Sequence, residues 1–127
     1  MTISEVSEQY GLTADTLRYY EKIGLIPRVE RKKNGVRDYQ EEDCKQIAFI
    51  KCMRSAGMPV ETLLRYMSLI RQGEETSKER MGLLVEQQEI LLKKRQEMDD
   101  TLKRLEDKIA CFKEKEKSKK RQACGCI

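Results

Sequence analysis

Apolar residues recur along most of this chain at helical spacing, and a few glycines and prolines interrupt the pattern. Thr2-x-x-Glu5 has the form of a capping box, in which the threonine hydroxyl takes an orphan amide and the glutamate reaches back to the cap. It predicts a helix over about 3–9, with Ile3, Val6 and Tyr10 on one side, stopped at Gly11. Thr13 is the expected N-cap of a second helix over about 14–22, closed by Gly24, which exposes Arg18, Tyr19 and Lys22. Two short helices joined by a glycine-containing turn make a helix-turn-helix.

The pattern changes over 25–40. Leu25-Ile26-Pro27 and Val36-x-x-Tyr39 flank a polar stretch centred on Lys33-Asn34-Gly35. Asn-Gly favours a hairpin turn, so two very short strands carrying a basic loop, a wing, are expected here. A third helix is expected over about 41–56, with acidic residues in its first turn where the helix dipole favours them, ended by Gly57. Its Cys44 is read as structural. Pro59 suits the first position of a fourth helix over 59–72, whose apolar positions include Val60, Leu63, Leu64 and Met67. Thr76-x-x-Glu79 reads as a second capping box.

Beyond it, steps of three and four run through Met81, Leu84, Gln88, Leu91, Arg95, Met98, Leu102, Leu105, Ile109 and Phe112. A helix over 76–112 would span roughly 55 Å at the usual rise. A lone helix cannot bury so narrow a stripe, and a copy of itself in a second chain is the simplest cover. The expected organisation is a winged helix-turn-helix over 1–72, a coiled-coil dimerisation helix over 73–112 and a charged, flexible tail over 113–127. The fold class is mainly α.

Composition narrows the function. Of the 127 residues 38% are charged, which suits solvent-washed helices. The net charge of +4 is uneven. Residues 1–40 hold 7 basic and 6 acidic side chains, 41–112 hold 13 and 14, and 113–127 hold 6 and 2. The basic feature that matters is local: Arg28, Arg31, Lys32, Lys33 and Arg37 lie within ten residues. No apolar run reaches the roughly 20 residues of a membrane span, and the first 30 residues hold no secretory-type apolar core, so a cytoplasmic protein is expected. The chain has no histidine and no phosphate-cradling glycine loop. An enzyme is therefore not expected, nor is a cofactor. Five cysteines in a cytosolic chain leave thiols, a redox switch or a metal site as the options.

The chemistry of the first forty residues points to duplex DNA. A recognition helix would present Thr13, Arg18, Tyr19 and Lys22 to the major groove, and the wing would lay Lys33, Asn34, Arg37 and Tyr39 on phosphates. Ile3-Ser4-Glu5-Val6, Gly11-Leu12-Thr13, Leu17-Arg18-Tyr19-Tyr20-Glu21-Lys22-x-Gly24-Leu25-Ile26 and Asn34-Gly35-x-Arg37-x-Tyr39 together resemble the signature of the MerR family of transcription regulators. Val36 departs from it, standing where the family usually carries an aromatic. The resemblance implies a homodimer joined by an antiparallel coiled coil of the long helices. It further implies that the dimer binds promoter DNA, which it bends and untwists for RNA polymerase in response to an effector, and it carries DNA contacts to Arg18, Tyr19, Arg37 and Tyr39.

Two inputs stay open. Ile50-Lys51-Cys52-Met53-Arg54-x-Ala56-Gly57-Met58-Pro59 resembles the aldehyde- and thiol-stress-responsive branch, in which a cysteine matching Cys52 reacts with electrophiles. Neighbouring Lys51 and Arg54 would favour a thiolate. Against that, Cys52 shares a helix face with Ala48, Phe49 and Ala56, which suits a small buried hydrophobe. The alternative is a thiolate metal site built from Cys111, Cys124 and Cys126.

Overall fold

A computed structural model describes residues 1–118. Its elements are α1 (Ile3–Tyr10), α2 (Ala14–Lys22), α3 (Glu41–Ser55), α4 (Val60–Gln72), a 3-10 turn (Glu74–Thr76) and α5 (Ser77–Ser118). The chain divides into two compact units, Met1–Val85 and Glu86–Ile127.

Local chemistry sets the first unit. The Thr2 hydroxyl accepts from the Glu5 amide at 3.2 Å, and the Glu5 carboxylate accepts from the Thr2 amide at 2.9 Å, so the capping box forms as expected. These bonds hold the Glu5 carboxyl below its ordinary range. Gly11 caps α1 at φ 66°, a left-handed conformation that costs any side chain. A Cβ there would also stand 3.1 Å from the Lys51 Nζ, so α3 covers the turn closely. Thr13 caps α2, its hydroxyl accepting from Thr16 N at 3.1 Å.

The core gathers one face from each helix. Val6 of α1, Leu17 of α2, Ile47 and Ile50 of α3 and Leu63 of α4 are wholly buried. Leu25, Ile26 and Val29, from the segment after α2, join them. Cys44 is also buried, in keeping with a structural role, with its Sγ 3.9 Å from the Met1 sulfur.

Three local expectations need correction. The wing holds no strand, only one antiparallel bridge between Arg31 and Arg37. Its tight turn is closed by Gly35 N donating to Lys32 O at 2.8 Å, which puts Lys33 and Asn34 at the centre and Gly35, at φ 84°, just after it. Pro59 is the N-cap of α4, with ψ 150°, rather than its first helical residue. Thr76 forms no capping box. It ends the 3-10 turn, and its hydroxyl lies 2.7 Å from Leu69 O and 2.8 Å from Gly73 O while accepting from Arg80 Nε at 3.1 Å. The carbonyls left over at the end of α4 outcompete the first amides of α5 for this hydroxyl.

In the second unit, α5 exposes the expected stripe. Met98, Leu102, Leu105, Ile109 and Phe112 are each more than half exposed. Gln88 and Arg95 on the same seam are exposed as well. No helix among the described residues is long and apolar enough to cross a membrane.

Leu17 is the anchor of α2 and has no exposed surface. Leu17→Ala should cost about 2–5 kcal/mol in urea unfolding, because it loses transfer energy and leaves a cavity. A cost under about 1 kcal/mol would mean that the helix is not seated as described.

Candidate nucleic-acid interface

Only nine residues form α2, and the burial of two of them decides what the rest can do. Leu17 and Tyr20 point inward. The helical period then turns Arg18, Tyr19 and Lys22 outward, and all three are exposed, Tyr19 by 52%. Thr13 is exposed at the start of the helix, though its hydroxyl is already engaged by the Thr16 amide and lies 2.8 Å from the Thr16 hydroxyl. Arg18 pairs with Asp15 at 3.0 Å. That pair is exposed and one turn apart, so it is weak and exchangeable.

The wing splits its predicted contacts into two groups. Lys33 and Asn34 stand exposed at the tip beside Lys32, and Arg28, earlier in the segment, is exposed as well. The Asn34 side-chain oxygen accepts from Val36 N at 3.1 Å and so shapes the turn. Arg31 bends back onto Gly35 O at 2.8 Å.

Arg37 and Tyr39 are not surface residues of this kind. Arg37 donates through Nε to Glu21 Oε1 at 2.9 Å, with both side chains largely shielded. It thus ties the wing to the last turn of α2. Tyr39 is 2% exposed and belongs to the core, which corrects its placement on a phosphate-facing surface. Burial pushes its phenol up, the Arg37 charge opposing, and its hydroxyl has no hydrogen-bond partner. The hydrophobic flanks of the wing pull the ring inward, because Ile26, Val29 and Tyr39 pack into one cluster.

Sequence reasoning missed Arg71. This α4 residue reaches 47 positions back to donate through Nη2 to Gly24 O at 2.6 Å, just past the end of α2. No local pattern signals such a contact.

Cys52 lies on α3 and is exposed, as is Ala48 on the same face. Of the two readings of Cys52, the small buried hydrophobe does not fit this exposure; the residues of α3 that enter the core are Cys44, Ile47 and Ile50. Lys51 lies against the Gly11 turn, and Arg54 donates to Met58 O at 2.8 Å. Cys111 lies in α5, while Cys124 and Cys126 fall outside the described residues. Among the described residues no group of three or more metal-ligating side chains is assembled.

Comparison with known proteins agrees with this architecture. A profile of the MerR HTH family of regulatory proteins matches residues 1–70. AdhR, an HTH-type transcriptional regulator of Bacillus subtilis, is 51% identical over 92 residues, 72% of this chain and 66% of AdhR. The match thus spans just under two thirds of that protein's length. The crystal structure of HiNmlR, a MerR family regulator lacking the sensor domain and bound to promoter DNA, is similar at a TM-score of 0.87 and 27% identity. That likeness covers 100% of this chain and 96% of the other. A MerR family regulator from Bacillus thuringiensis is similar at a TM-score of 0.76 and 32% identity, covering 87% of this chain and 96% of that one. With the family profile matched over its first 70 of 127 residues, this chain belongs to the MerR family of helix-turn-helix transcription regulators.

Proposed function

We propose that the protein is a homodimeric regulator that reads promoter DNA with α2 and the wing and responds to a small electrophile through Cys52. The observation that carries the DNA reading is the outward face of α2. Buried Leu17 and Tyr20 force Arg18, Tyr19 and Lys22 to the surface, beside a wing tip whose Lys32 and Lys33 make no ion pair among the described residues. Cations and an aromatic presented by a helix at this position suit base edges, and the wing cations suit phosphates. HiNmlR, bound to promoter DNA, supports the same reading. Bending a promoter costs several kcal/mol, and the effector need only bias which DNA shape the dimer prefers. RNA polymerase at that promoter is the partner that reads the result.

The stripe from Met98 to Phe112 supports the dimer. Five large apolar side chains, each more than half exposed, recur every three or four residues on one face of α5. Their burial in a coiled coil would recover about 25 cal/mol for each square ångström covered. A second copy of the helix offers the complementary stripe.

For the input, Cys52 presents an exposed thiol on α3. As thiolate its sulfur adds to an aldehyde carbonyl carbon. The C–S bond forms, the carbonyl π pair moves to oxygen, and that oxygen takes up a proton equivalent to the one the thiol lost. The product is a reversible hemithioacetal. The resemblance of the segment from Ile50 to Pro59 to the aldehyde- and thiol-stress-responsive branch is what favours this reading over the thiolate metal site of Cys111, Cys124 and Cys126.

Three outcomes test the proposal. Arg18→Ala and Lys22→Ala should each weaken duplex binding, and a residue that contacts a phosphate should lower the slope of log affinity against log salt by about 1. Unchanged affinity for both would remove α2 as the reading helix. Leu102→Asp with Leu105→Asp should convert the dimer to a monomer in analytical ultracentrifugation, and a persisting dimer would place the interface elsewhere. Cys52→Ser should abolish promoter induction by formaldehyde while DNA affinity stays within about twofold, less than a single hydrogen bond is worth. Loss of induction in Cys111, Cys124 or Cys126 variants instead, with release of bound metal, would select the metal reading.

A further inference from the structure

The last turn of α2 is gripped from two directions. From the wing, Arg37 Nε meets Glu21 Oε1 at 2.9 Å. From the end of α4, Arg71 Nη2 meets Gly24 O at 2.6 Å and lies 3.5 Å from Leu25 O. These contacts bridge 16 and 47 residues of sequence, so they fix the helix end relative to separate parts of the first unit.

Neither contact is needed to complete the helix itself. The carbonyls of the last turn are already taken: Ile23 N donates to Tyr19 O, Leu25 N to Tyr20 O at 2.9 Å, and Gly24 N to Glu21 O. Gly24 O lies two residues past the end of the helix, on a residue at φ 83°. A guanidinium is well matched to it, since a helix C-terminus carries partial negative charge. Arg71 therefore sets where the end of α2 sits. Glu21 raises a related point. An acid on a helix that approaches phosphates is repelled by them, and pairing with a shielded Arg37 neutralises that charge while anchoring the wing.

We propose that Arg71 and Glu21 are positioning residues for DNA reading. They hold the recognition helix at a fixed angle between α4 and the wing without touching DNA themselves. The proposal rests on the DNA-binding reading above. A helix of nine residues contacts few base pairs, so a tilt of its end moves Lys22 and Arg18 out of register while leaving the phosphate-facing charge intact. Specific binding should suffer and non-specific binding should not.

The test uses the full chain, an operator duplex isolated by the wild-type protein from a random pool, and an unrelated duplex of equal length. Arg71→Gln and Glu21→Gln should each lower operator affinity about tenfold, the scale of a charge-assisted hydrogen bond. Affinity for the unrelated duplex and the salt slope should hold in Arg71→Gln, and neither should fall in Glu21→Gln, which frees the Arg37 charge. Arg71→Lys should restore part of the loss. Amides of 24–26 should exchange faster with deuterium in Arg71→Gln, in the absence of DNA. An equal loss on both duplexes, with the slope reduced by about 1, would make Arg71 a phosphate contact instead. A lowered urea midpoint with unchanged operator affinity would reduce both residues to stabilising the fold. Wild-type protein without duplex affinity overturns the DNA-binding reading and this proposal together. Wild-type binding that is indifferent to Arg71 and Glu21 overturns this proposal alone.

Discussion

A recognition helix of nine residues cannot hold itself together in water, because isolated helices shorter than about 12–15 residues are marginal even in favourable sequences. Everything around α2 answers that constraint. Thr13 closes its start through the Thr16 amide. Leu17 and Tyr20 tie its inner face to a core shared by α1, α3, α4 and the segment after it. Polar contacts from the wing and from α4 hold its end. The same burial that stabilises the helix decides its outer face, so stability and DNA reading follow from one choice of inward residues.

Charge is allocated with similar economy. The first forty residues are nearly balanced, so a broad positive field is not available to draw DNA in. Several arginines are also committed within the chain: Arg37 to Glu21, Arg31 to Gly35 O, Arg71 to Gly24 O and Arg54 to Met58 O. Guanidinium groups suit such tasks because their donors are fixed in a plane. The cations left at the wing tip are mainly lysines, whose hydrated point charges suit phosphates without demanding a geometry. Arginine thus serves largely as scaffold in this unit, while Arg28 stays exposed in the wing segment and Arg18 pairs only with the exposed Asp15 on α2.

The sequence made the local features legible and the long-range ones illegible. The Thr2–Glu5 box, the Gly11 and Thr13 caps, the Gly57 and Gly73 stops and the stripe on α5 all depend on residues within a few positions of each other. Tyr39 was expected on the surface because it ends a polar wing, yet the apolar residues beside it drew the ring into the core. Arg37 pairs through Nε with Glu21, sixteen residues back on another element, a contact that no local pattern signals. Thr76 fits a capping pattern, but the carbonyls that capture it belong to the end of α4. In each case a partner from another element overrode the local pattern.

The exposure of Cys52 constrains how sensing there could work. An effector shifts an equilibrium only by its difference in free energy between the two states. An adduct on a thiol that faces water in both states would be solvated alike in both, and would shift nothing. Of the neighbouring cations, Arg54 is engaged at Met58 O, while the Lys51 Nζ lies close to the Gly11 turn. Within one chain, the nearest responsive feature is that turn itself: displacing Lys51 would uncover the Gly11 cap between α1 and α2. The other source of asymmetry is a second chain, which can cover Cys52 in one arrangement of the dimer and release it in the other. Sensing through this thiol therefore requires either a moved lysine on the helix-turn-helix or a partner surface over α3, and a monomeric variant that still binds aldehyde separates the two by whether the Gly11 turn responds.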